Sequence, residues 1–155
     1  MVADLSHPLG IFILALGSGF LIPLLFRASV ALAGVLFMLA LAGMTLIAGT
    51  GFAELLQGAP TINIQTAGVA PPFAINLRFG LEESLFVLSV NLAGLLAAWH
   101  FLHRLRATAA SLLLCIILIM GIDGMIMTRD LFNLFIFIEI TALATYGLIG
   151  LQDSA

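Results

Sequence analysis

One acidic residue stands where charge is costly. Glu139 lies in the run Phe132 to Ile140, which is otherwise almost wholly apolar. In a helix starting near Leu131 it sits about 13 Å along the axis, at about 1.5 Å per residue. That is close to the middle of a bilayer-spanning helix. An ionised carboxylate there is expensive unless something compensates it, and the chain has no cation at that depth. Two outcomes stay open: Glu139 holds its proton, or it meets a cation or water brought by another helix. Both suit proton transfer. Ala142, Leu143 and Tyr146 follow at three, four and seven residues and share its face, with Ala142 leaving room beside the carboxyl. The blander reading is a neutral acid that only hydrogen-bonds helices together. Intramembrane carboxyls are functional by default, so proton transfer is preferred.

Other polar groups are weaker candidates. Asp123 lies about one turn from the outer end of the fourth apolar stretch and reads as interfacial or cap-like, with a proton inlet as the alternative. His100 and His103 are one turn apart beside Trp99 and Arg104, the composition of an interfacial belt. They could relay protons, but two histidines at this spacing without a third ligand make only a weak metal signal. Asp123, Tyr146, His100 and His103 are therefore the candidates for a proton path to Glu139. Asp130 reads as the N-cap of the last helix, with Asn133 bonding at that helix end or to a neighbour. Asn91, mid-way along the third stretch, reads as an interhelical hydrogen-bonding group. Cys115 is alone and reads as a small core residue. No Gly-rich phosphate loop, nucleophile–base pair or metal cluster occurs. The reading includes no cofactor, no metal and no self-contained enzyme active site.

The elements that position these residues follow from composition. Of 155 residues, 63% are hydrophobic and 8% charged. Ordinary globular domains are about half apolar and about a quarter charged. Lipid must act as part of the solvent. Five apolar stretches predict an all-α membrane protein, a single membrane domain with spans at about 9–26, 29–50, 81–103, 108–127 and 131–151. Pro23 is placed to kink the first. Ala33, Gly34, Ala40, Ala42 and Gly43 suit the second to close packing. The N-terminus lacks the basic region of a cleaved signal peptide, so the first span reads as permanent. Between the second and third spans, Ile62 and Ile64 alternate with polar residues. After Gly68 and Pro71-Pro72, so do Phe73, Ile75, Leu77 and Phe79. This period-two pattern predicts an extracytoplasmic β-hairpin over about 60–79, outside the hydrocarbon. Glu82 and Glu83 open the third span, where the helix dipole favours anions.

The net charge is −3 and all five cations are arginines. No basic stripe exists for nucleic acid. Arg27, Arg104 and Arg106 fall on one side of the membrane, Arg78 and Arg129 on the other. The positive-inside rule then puts the N-terminus and hairpin outside and the C-terminus in the cytoplasm of a multi-pass plasma (inner) membrane protein.

The stretch Gly124 to Ile140, with the core Asp130-Leu-Phe-Asn-Leu-Phe and then Glu139, resembles the fourth-to-fifth helix junction of Mrp-type cation/proton antiporter D subunits. The same superfamily holds the antiporter-like subunits of respiratory complex I and membrane-bound hydrogenases. Ala70-Pro71-Pro72-Phe73-Ala74-Ile75-Asn76-Leu77 resembles the family's outer hairpin, and with matching spans the resemblance covers nearly the whole chain. It implies that Glu139 is the proton-carrying fifth-helix glutamate, working with a lysine on a later helix in a bundle of two inverted repeats. Arg129 departs from the family's glycine. The Glu82-Glu83 pair stands for the acidic residue that opens the family's third helix. Family members are much longer, so the lysine helix and second repeat are expected from further chain or from a partner polypeptide.

The resemblance implies partners: other membrane subunits, protons, and an exchanged cation with Na+ first among candidates. The leading expectation is the N-terminal, proton-translocating part of an Mrp-type antiporter. The runner-up is the corresponding part of a complex-I-like or hydrogenase complex, translocase-type only as part of a redox-driven assembly. A structural scaffold subunit is the reading from another class. Glu139→Gln separates it, since a scaffold would lose assembly or nothing.

Overall fold

The computed structural model describes residues 7–65 and 76–152. The Gly68 and Pro71-Pro72 turn, the alternating Phe73 and Ile75, and most of the Ala70–Leu77 block lie outside the described residues. So do residues 1–6 and 153–155. The elements are α1 (Leu9–Ala28), α2 (Val30–Leu56), β1 (Ile62–Gln65), β2 (Asn76–Phe79), α3 (Leu81–Leu105), α4 (Ala109–Met127) and α5 (Leu131–Gln152). All five helices are long and apolar enough to cross a membrane, and the strands pair between α2 and α3. This is the fold class that the hydropathy and alternation imply.

Local chemistry explains the boundaries. α1 runs through Pro23 and ends at Ser29, whose extended backbone reverses the chain and whose Oγ accepts the Leu32 N–H at 3.4 Å. α2 runs past the expected end near residue 50 to Leu56. Gly51 to Leu56 contain no proline, and a change in polarity does not break a backbone ladder. Gly58 does, with φ 95°, a left-handed conformation that costs glycine little. Thr108 caps α4, its Oγ1 accepting the Ser111 N–H at 3.1 Å. Asp130 caps α5 as expected: Oδ1 accepts the Phe132 N–H and Oδ2 the Asn133 Nδ2, each at 2.9 Å.

Short links make α1–α2, α3–α4 and α4–α5 neighbours, α2 packs on α3 across the hairpin connection, and α1 also packs on α4, so the first four helices close into a bundle. Ile11, Phe37, Leu41, Met44, Leu112 and Ile116 fill its core. α4 is its centre and α5 its edge: 44% of the α4 span is buried and 6% of the α5 span. α5 packs chiefly along α4, where glycine lets the backbones approach. A Cβ on Gly124 would overlap the Phe137 ring, and one on Gly121 would overlap Thr141.

The hairpin pairs Ile62 with Phe79 and Ile64 with Leu77, turning Ile64, Leu77 and Phe79 inward. β2 continues onto the α4–α5 turn. Leu77 bridges Thr128, and the Arg129 N–H donates to the Asn76 carbonyl at 2.9 Å. The hairpin is thus tied over the joint that sets the start of α5.

Candidate functional site

Three polar groupings matter, in different parts of the bundle. The first is Glu139. It is exposed on the outer face of α5. Among the described residues, no side chain hydrogen-bonds to it or pairs with it. Phe132, Phe135, Leu143 and Tyr146 are exposed on the same stripe, one helical turn after another. The stripe is apolar except for Glu139 at its centre and the Tyr146 hydroxyl, about 10 Å further along at about 1.5 Å per residue. A carboxyl on such a face needs water or a polar partner from outside these five helices.

The second grouping lies inside the bundle. Asp123 is 0% exposed. Asn91 Nδ2 lies 2.9 Å from its Oδ1 and 2.8 Å from its Oδ2, and also donates to the Val87 carbonyl at 2.9 Å. Asn91 makes the interhelical bond its mid-span position suggested. The interfacial or cap-like reading of Asp123 is corrected. Gly124 lies opposite Phe137 and Gly121 opposite Thr141, which puts Asp123 at the depth of Glu139 in the antiparallel pair. Counting residues from the end of α4 misplaced it, because α5 begins about a turn beyond the end of α4, on the hairpin side.

The third grouping is at the hairpin end of the bundle. Glu83, in the first turn of α3, is buried, and its Oε2 accepts the Gly80 N–H at 2.9 Å. Its Oε1 pairs with Arg129, and Arg78 Nε stands 3.9 Å away. Arg129, which in sequence counts only toward charge sidedness and as a departure from glycine, is therefore a clamp between α3 and the α4–α5 turn. Replacing Arg129 with Ala leaves a buried carboxylate short of its principal partner. The expected cost is about 1–3 kcal/mol, since both arginines are partly exposed and water screens part of the loss. Hydrogen exchange at Asn76–Phe79 measures it: those amides should exchange faster in Arg129→Ala and change less in Arg78→Ala.

His100 and His103 are exposed near the far end of α3, His100 edge-on to Phe101 with ring centroids 4.7 Å apart. They lie about 14 Å or more along the helix from Asn91. The five helices bring neither histidine to Glu139, nor Asp123 onto its face; Tyr146 alone shares the stripe. Among the described residues no group of three or more His, Cys, Asp or Glu is placed to hold a metal ion.

Fold and polar groups together define a multi-pass membrane protein with carboxyls at mid-depth on two faces of one helix pair. No protein-family model and no curated protein matches the chain. Among solved structures, it is similar to a chain of the membrane-bound sulfane sulfur reductase, an archaeal respiratory membrane complex. The identity is 31% and the TM-score 0.82, over 91% of this chain and 29% of that one. It is also similar to a chain of the Mrp complex from Dietzia sp. DQ12-45-1b, at 23% identity and TM-score 0.79, over 96% of this chain and 27% of that one. The present chain thus spans less than a third of the length of either. These likenesses support the resemblance read in the sequence, that of an antiporter-like subunit of a membrane complex.

Proposed function

We propose that this chain is the N-terminal, proton-translocating part of an antiporter-like subunit in a multi-subunit membrane complex, with Glu139 as the proton carrier. The observation behind this reading is the position of Glu139: mid-span, exposed, and centred on a stripe that no described helix covers. A carboxyl meant only to join these helices would face α4. On the outer face it serves whatever packs there. A further helix bringing a cation or water completes the site, and taking up or releasing a proton alters the attraction across that seam. Tyr146 supplies a hydroxyl on the same stripe. The N-terminus and hairpin face outward and the C-terminus faces the cytoplasm of the plasma membrane, as the arginine distribution argues.

In the Mrp-type version, a cation such as Na+ moves against the proton. A redox-driven version is favoured by one observation, the higher identity to the respiratory complex chain. There the electron carriers belong to partner subunits. Both versions use Glu139. Proton uptake by vesicles carrying the complete complex, compared between wild type and Glu139→Gln, tests the shared claim. Undiminished coupled uptake by an assembled variant would overturn it. Na+ dependence of that uptake points to exchange, and dependence on an electron donor to redox drive.

A further inference from the structure

The interior pair of Asn91 and Asp123 is not needed for the Glu139 reading, yet it has the chemistry of a site. A fully buried carboxyl ordinarily meets a cation or several donors. Asp123 meets one amide nitrogen among the described residues. That nitrogen has two hydrogens, and the Val87 carbonyl takes one, leaving a single N–H for both carboxyl oxygens. Among the described residues, no charge on the packed elements comes to its aid. Arg27 on α1 and Glu54 on α2 sit near helix ends, as do Glu82, Glu83, His100, His103 and Arg104 on α3. Arg78 is on β2. Glu139, at the same depth, is on the outer stripe of α5 with Tyr146. On the other side of the same amide, Asn91 Oδ1 is buried with no hydrogen-bond partner. It is an unused acceptor beside an undercompensated acid.

We infer that Asn91 and Asp123 form a proton-binding site in the interior of the bundle, separate from Glu139. Its ligand is the proton itself. With the carboxylate ionised, Asn91 donates to it through Nδ2, the arrangement in the structure. With the carboxyl protonated, a half-turn of the amide turns Oδ1 to accept the acid O–H. Each state leaves one amide atom without a partner, so the proton on Asp123 decides which way the amide points. The step is a proton exchange with water: an O–H bond forms at Asp123 as one breaks on the donor, and no electrons are transferred.

Infrared spectroscopy of the complete chain, assembled with its partner subunits in membranes, tests this. The expected result is a carboxylic-acid C=O band at neutral pH that shifts on deuteration, persists in Glu139→Gln and is lost in Asp123→Asn. Asn91→Leu gives a second reading from the other side of the pair: the band should move to higher frequency as the amide partner disappears. A band unchanged in both Asp123→Asn and Asn91→Leu overturns the inference, as does the absence of any such band in the wild type. Should Asp123→Asn fail to assemble, the Asn91→Leu shift decides alone. Transport lost in Glu139→Gln with the band intact keeps the two sites distinguishable.

Discussion

In vesicles carrying the assembled complex, Glu139→Gln is expected to lower coupled proton uptake by about 10²-fold or more, the contribution typical of a positioned proton-transfer group. Glutamine keeps the length, volume and hydrogen-bonding reach of the side chain and removes only the exchangeable acid. The stripe of Phe132, Phe135, Leu143 and Tyr146 is unchanged, so whatever packs on it should still pack. Assembly, followed by co-purification of partner subunits, is expected to stay at wild-type level. Glu139→Asp retains the acid but withdraws it by one methylene, and uptake should fall less. Tyr146→Phe, which removes one hydroxyl from the same stripe, is expected to slow uptake without abolishing it if that hydroxyl lies on the proton's route. A scaffold would behave in the opposite way. Uptake would track assembly in every variant, and Glu139→Gln would be either silent or unassembled.

What could be read from residues alone was what hydrophobicity and local chemistry control. Five apolar runs separated by arginines, turn residues and the alternating segment could form little other than five spans and a hairpin. Asp130 announced its capping role through its place before an apolar run. Composition was less informative where backbone geometry decides: α2 continues through Gly51 and Glu54 to Leu56 and is followed by Gly58 in the left-handed conformation. Depth was harder still. Asp123 looks superficial when counted from the end of α4, and only the packing of Gly124 on Phe137 reveals it level with Glu139. The partners of polar groups were legible in part. Asn91 and Asp123 are polar residues in consecutive spans, which was a usable signal for a pair. Nothing local in Arg129 indicated Glu83, because that contact joins residues brought together by the hairpin and the α4–α5 turn.

The seam that holds α5 is where a substitution that removes no acid should have the largest structural effect. Gly124→Leu is expected to destabilise the fold by about 1–3 kcal/mol, the usual cost of forcing extra carbon atoms into a packed interface. Even Gly124→Ala should be felt. The atom a Cβ would meet belongs to the Phe137 ring, which cannot bend out of the way like a flexible chain end, and its neighbour Gly121 faces Thr141 in the same manner. Gly150→Ala is the control. It lies on the same helix pair but has nothing within 4 Å of an added Cβ, so stability should hold or rise slightly from the better helix former. Thermal unfolding of the detergent-solubilised complex ranks the three. Combining Gly124→Ala with Phe137→Leu should recover part of the loss, because the two residues occupy one volume; strict additivity would show that they do not. Inside a membrane no water-driven force presses α5 back onto α4, so this close approach carries much of the attachment. Prising it apart should displace Glu139 bodily and lower transport in a complex that still contains every ionisable group.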